Sequence, residues 1–254
     1  AIRSRVLGSG ATLLPLDFTA LGAFGKVTFA GAAGGRSHRL EIFGTDVDDR
    51  FEIETATADE VQILRANQSG NIFTTVDIQT PGISELDLLG LDGDDVFNID
   101  GPVSYSRLIV QGGSASPFTD VLNYSAAGAI TVYVAAATIE DAGATDVDYT
   151  GIEEINVDAN GQAVGIAATG DDDDIVVSPY DATSGTARVT GKSPVINYDE
   201  AGAPLQVDAL GGQDHLTVNA TTADDTVEVD GVAMTVTNAT AGGVVAYGAD
   251  TEAL

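Results

Sequence analysis

From residue 40 onward, apolar and polar residues alternate with a period of two, and acidic turns carrying glycine interrupt the alternation again and again. Phe51 and Ile53 alternate with Glu52 and Glu54. Val76 and Ile78, Leu86 and Leu88, Phe97 and Ile99, Leu108 and Val110, Ile130 and Val132, and Leu216 and Val218 keep the same rule. A period of two sends successive side chains to opposite faces of a strand, so these runs predict half-buried β-strands. No segment carries the 3.6-residue period of an amphipathic helix. The fold class expected is all-β.

The interrupting turns resemble one another. Gly44-Thr45-Asp46-Val47-Asp48-Asp49-Arg50-Phe51, Gly90-Leu91-Asp92-Gly93-Asp94-Asp95-Val96-Phe97 and Gly170-Asp171-Asp172-Asp173-Asp174-Ile175 are three copies, and Gly211-Gly212-Gln213-Asp214-His215-Leu216 is a fourth. Each places small or acidic residues in the turn, then Asp, then one residue, then an apolar anchor for the next strand. Glycine supplies the positive φ that a tight turn demands.

Taking the turn Asp, or Asn in its place, gives the series Asp49, Asn71, Asp95, Asp120, Asp146, Asp174, Asp199, Asp225 and Asp250, with gaps of 22 to 28 residues. One coil of a parallel β-helix has about that length, since each repeat is one small supersecondary unit. The architecture expected is therefore a parallel β-helix, or β-solenoid, with turns of about 25 residues. The alternative is a pair of tandem antiparallel β-sandwiches. In a solenoid, equivalent residues stack about 4.8 Å apart. A ladder of ionised Asp at that spacing repels itself unless cations or hydrogen-bond donors sit between the rungs.

Carboxylates clustered around glycine offer hard oxygen ligands of the kind calcium takes. The candidate metal ligands are Asp92, Asp94 and Asp95, then Asp46, Asp48 and Asp49, then Asp171, Asp172 and Asp174. The tracts resemble the hemolysin-type, or RTX, calcium-binding nonapeptide, Gly-Gly-x-Gly-x-Asp-x-apolar-x. Gly90, Gly93, Asp95 and Phe97 match it, as do Gly44, Asp49 and Phe51, and Gly212 and Asp214. Here the copies stand singly and not in tandem, which is similar to the diverged repeats of large bacterial surface and adhesin-like proteins. The resemblance implies calcium as the cofactor and a secreted or cell-surface location.

Composition narrows the function. The net charge of −29 excludes nucleic acid as a partner, because phosphate binding needs clustered Lys and Arg. Residues 1–40 hold five basic groups and one acidic, or +4; the rest hold 5 basic and 38 acidic, or −33. The chain thus reads as an N-terminal cap or assembly segment, 1–40, followed by an acidic β-repeat domain, 41–254. There is no Cys, hence no disulfide. No apolar run is long enough for a membrane span, so no membrane insertion is expected. His215 and His38 lack partners at motif spacing and read as surface residues.

No catalytic constellation stands out, and the expectation is a non-enzymatic structural or adhesive module that self-associates head to tail into filaments or a surface layer. The alternative is a polysaccharide-active enzyme, with Glu153, Glu154 and Asp158 as its carboxylates. A glycan-binding module using Tyr105, Tyr124, Tyr133 and Tyr149 as stacking platforms is the third reading.

Overall fold

A computed structural model describes residues 38–54, 60–66, 72–114 and 119–220 continuously, and strands at 2–8, 11–12, 16–18, 25–29, 227–230, 235–238, 243–247 and 251–253. Asn71, Asp225 and Asp250 of the turn series lie outside the described residues. Every regular element among the described residues is a β-strand. Among the described residues no helix is long and apolar enough to cross a membrane. The chain divides into two compact units. Unit 1 comprises Ala1–Tyr124 and Ala144–Glu153, and unit 2 comprises Ser125–Gly143 and Glu154–Leu254.

Unit 1 begins with β1 (Ile2–Gly8), β2 (Ala11–Thr12), β3 (Leu16–Phe18) and β4 (Gly25–Thr28). It continues with β5 (His38–Phe43), β6 (Arg50–Ile53), β7 (Glu60–Ala66), β8 (Ile72–Gln79), β9 (Glu85–Leu91), β10 (Val96–Asp100), β11 (Arg107–Gly113) and β12 (Val121–Ser125). The chain leaves for β13 (Ile130–Tyr133) and β14 (Thr138–Asp141), which belong to unit 2, and returns for β15 (Val147–Thr150). The strands of unit 1 fall into two mixed sheets, ordered β2-β1-β5-β9-β11-β15 and β12-β10-β6-β7-β8-β4. Strands from the first forty residues pair with later ones: β1 runs antiparallel to β5, and β4 parallel to β8.

Parallel register stacks like on like. Leu40, Leu86, Leu108 and Val147 form one row across β5, β9, β11 and β15, and Ile42, Leu88, Val110 and Tyr149 form the next. Every member of both rows is buried. In the other sheet Phe51 lies beside Phe97, with ring centroids 4.9 Å apart and planes within 7° of parallel. The antiparallel pair β7–β8 is an excursion between β6 and β9.

Unit 2 adds β16 (Glu154–Asp158), β17 (Val164–Ala167), β18 (Asp174–Pro179), β19 (Gly185–Val189), β20 (Val195–Asp199), β21 (Leu205–Asp208) and β22 (Asp214–Val218). β23 (Val227–Asp230), β24 (Thr235–Asn238), β25 (Gly243–Tyr247) and β26 (Thr251–Ala253) complete it. Its two mixed sheets run β14-β13-β17-β21-β25-β24-β23 and β26-β22-β18-β19-β20-β16. Three successive strands pair in parallel at one offset: Ile155 with Ile196, Gly165 with Gln206, Ile175 with Leu216. Residues 154–177 and 195–218 accordingly align without a gap. Asn156 matches Asn197, Asp158 matches Asp199, Gly161 matches Gly202 and Asp173 matches Asp214.

The steps between stacked turn acids differ from a uniform 25. They are 46 residues from Asp49 to Asp95, 25 from Asp95 to Asp120 and 41 from Asp173 to Asp214. Antiparallel excursions, β7–β8 in unit 1 and β19 in unit 2, lengthen the long steps.

The Phe51–Phe97 stack sits where both rings are fully buried, whereas Tyr180 is 64% exposed. Phe97→Ala is expected to lower the unfolding free energy by about 3–5 kcal/mol, and Tyr180→Ala by no more than about 0.5 kcal/mol. Urea titrations followed by circular dichroism measure both, and comparable losses would show that the stacked pair is not a core anchor.

Candidate functional site

The acids of the turns do not face solvent alike. Asp49, Asp95 and Asp120 stand two residues before the anchors Phe51, Phe97 and Leu122, and all three are buried at the same end of their strands. The alternation requires it: the anchor points into the core, so the residue two before it points the same way. Their carboxylates form a column. Asp95 Oδ1 accepts a hydrogen bond from the Asp49 backbone N–H at 2.7 Å, and Asp120 Oδ1 accepts from the Asp95 N–H at 2.9 Å. Glu153 Oε2 closes the column by accepting from the Asp120 N–H at 2.8 Å. Unit 2 repeats the bond, with Asp214 Oδ1 accepting from the Asp173 N–H at 2.9 Å.

The residue just before each buried acid reaches the other way. Asp48 Oδ1 accepts from the Asp94 N–H at 3.1 Å, Asp94 Oδ1 from the Thr119 N–H at 2.8 Å, and Asp172 Oδ1 from the Gln213 N–H at 2.8 Å. The Asp94–Asp95 pair therefore staples its turn to both neighbours. Charge-assisted bonds of this kind are about twice as strong as neutral ones. The donors that a stack of carboxylates needs are backbone amides.

The second oxygen of each buried acid has one of two fates. At Asp49, Oδ2 accepts from the Thr45 N–H and hydroxyl at 2.6 and 2.7 Å; at Asp173, Thr169 does the same at 2.8 and 2.7 Å. At the corresponding place before Asp95 stands Leu91, whose φ is 89°, and Asp95 Oδ2 has no hydrogen-bond partner. Leu210, at φ 68°, holds that place before Asp214. Left-handed backbone costs a leucine roughly 1–2 kcal/mol. Asp120 Oδ2 is likewise buried without a partner. Gly90 leaves room for Asp95: a Cβ there would fall inside contact distance of Asp95 Oδ2.

Burial without a full set of donors disfavours the charged form. It pushes the Asp95 carboxyl from 3.8 up to about 7, against the pull of the Asp49 N–H and with the help of Asp120, Asp49 and Asp48. Burial likewise raises Asp120 to about 6, opposed by the Asp95 N–H and helped by Glu153 and Asp94.

The other residues singled out in the sequence fall around this column. Asp46, Asp48, Asp92 and Asp94 are exposed on the turns, with Asp92 Oδ1 accepting from the Ser114 hydroxyl at 2.9 Å. Asp171 and Asp172 are exposed as well. Asp174 is also exposed, 3.9 Å from His215, and the buried rung of that turn is Asp173. The rule of Asp two before the apolar anchor picks out Asp173 from Ile175. A small residue five positions earlier, as in Gly44, Gly90, Ala168 and Ala209, marks the same acids.

Among the described residues no group of three or more His, Cys, Asp or Glu is arranged to hold a metal ion. The Oδ1 atoms of Asp95, Asp120 and Asp214 accept from backbone amides of the turn before. Glu153 is a rung, Glu154 Oε1 accepts from Asn197 Nδ2 at 3.0 Å, and Asp158 Oδ1 accepts from the Asn160 N–H at 3.0 Å. Tyr105, Tyr124 and Tyr149 are core residues; Tyr133 is half-buried on β13.

Comparison with protein-family models, with curated proteins and with solved structures gave no match.

The raised carboxyls set a pH dependence. A carboxyl whose value is higher in the fold than in the unfolded chain favours folding at low pH, fully so below about pH 4. For Asp95 and Asp120 that contribution disappears as the pH rises through about 6 to about 7. Thermal melts of Asp95→Asn, which keeps an acceptor for the Asp49 N–H, are expected to gain stability over the native chain at pH 8 and to match it near pH 4. A gain of equal size at both values would show that Asp95 titrates normally.

Proposed function

We propose that this chain is a non-enzymatic structural module of a secreted or cell-surface protein, built as a β-solenoid whose coils are stapled by carboxylate–amide columns. The observation that carries the reading is the column Asp49–Asp95–Asp120–Glu153, in which Asp95, Asp120 and Glu153 each spend an oxygen on the backbone amide of the acid before them. A carboxylate so engaged is a structural tie and a poor nucleophile or base. Parallel register in both sheets of unit 1 supports the solenoid, since β5, β9 and β11 stack in one sheet while β6 and β10 stack in the other.

Calcium is the second reading, at the exposed acids. Asp46, Asp48, Asp92 and Asp94 stand on two turns in backbone contact, where a Cβ on Gly93 would lie 2.7 Å from the Asp48 nitrogen. Stacked exposed carboxylates of this kind attract divalent cations. Excess EGTA separates the two: the amide staples leave the thermal transition unmoved, whereas a transition lowered by EGTA and restored by calcium makes the ion a structural component.

Self-association completes the proposal. The +4 of residues 1–40 faces the −33 of the remainder in a second copy, and opposite charge orients such encounters. Sedimentation velocity is expected to show association that grows with protein concentration and weakens with salt. A monomer at every concentration and salt tested would remove assembly from the account.

A further inference from the structure

Gly165 lies in the middle of β17, with β13 on one side and β21 on the other. Its φ is not left-handed, so the backbone does not require glycine. A Cβ there would meet the Thr131 side chain at 3.1 Å and the Ile130 carbonyl oxygen at 3.7 Å. Glycine weakens a strand interior and often marks a place where something else approaches closely. Two residues on, Ala167 is also small. The matching positions one repeat later, on β21, are Gln206 and Asp208.

Across the sheet this makes a trough. Thr131 and Tyr133 on β13 form one wall, Gly165 and Ala167 the floor, and Gln206 and Asp208 the other wall. The walls stand two strand spacings apart, about 9.6 Å. The cleft measures about 390 Å³, within the range of small-ligand sites.

We infer that this trough binds a neutral saccharide chain lying along β17. The lining supplies hydroxyls, an amide and a carboxylate, a mixture that matches the vicinal hydroxyls of a sugar, and the Tyr133 ring gives one apolar wall. A peptide adding itself as a strand is disfavoured, because β17 has partners on both sides and offers no open edge. An anionic glycan is disfavoured by Asp208, by the absence of Lys and Arg from the lining and by the net charge of −29.

The test is a calorimetric titration of the full chain with cellohexaose, xylohexaose, mannohexaose and chitohexaose, beside hexagalacturonate and pentalysine. At least one neutral hexasaccharide is expected to bind at concentrations up to about 10 mM. Tyr133→Ala should weaken that binding roughly tenfold through loss of the aromatic wall. Gly165→Leu should fill the trough and abolish binding while its melting temperature stays level or rises, since leucine suits a strand better than glycine. No binding by any neutral hexasaccharide, binding that survives Gly165→Leu, or tighter binding of hexagalacturonate or pentalysine would each overturn the inference.

Discussion

The structure depends on buried carboxylates accepting hydrogen bonds from the backbone of an adjacent turn. Parallel β-stacking brings equivalent residues to within one strand spacing, so any acid at a repeated inward position meets its own kind. Asp49, Asp95 and Asp120 do meet, and they are buried. What makes this tolerable is that Asp95 and Asp120 each present an oxygen to the amide of the acid before them, and Asp49 presents one to Thr45 of its own turn. The bond offsets part of the desolvation cost and fixes the register of one turn on the next. A one-residue slip would turn Phe51 and Phe97 outward and break the column together with the core.

The compensation is uneven along the stack, and between Asp49 and Asp95 the difference lies in one side chain. Thr45 and Thr169 give their acids two further donors, an amide and a hydroxyl. Leu91 and Leu210, in the same place, take left-handed φ instead. In each unit the threonine turn comes before the leucine turn. Asp95 therefore keeps one buried oxygen without a hydrogen-bond partner, and burial raises its carboxyl toward neutrality.

The strands and their inward faces were legible because a one-sided core writes itself as alternation; Phe51, Phe97, Ile175 and Leu216 all anchor as that pattern requires. The spacing between stacked turns was less legible. Antiparallel excursions such as β7–β8 show the same period of two as the parallel strands, so the pattern does not say which partner a strand takes. The ties between turns were invisible for a plainer reason: their donors are backbone amides, which every residue but proline has. In the run of four Asp at 171–174, only the distance to Ile175 identifies Asp173 as the inward one. Tyr105 and Tyr149 looked available for stacking because their burial depends on strands distant in sequence.

The central claim concerns a bond between one amide and one carboxylate, and it can be observed directly. A trans-hydrogen-bond NMR experiment on uniformly labelled, deuterated protein correlates the Asp49 amide nitrogen with the Asp95 side-chain carboxyl carbon, and the Asp95 nitrogen with that of Asp120. The account predicts both correlations, with both amide protons protected from solvent exchange. Absent correlations and amide protons that exchange at the rate of an open turn would contradict it.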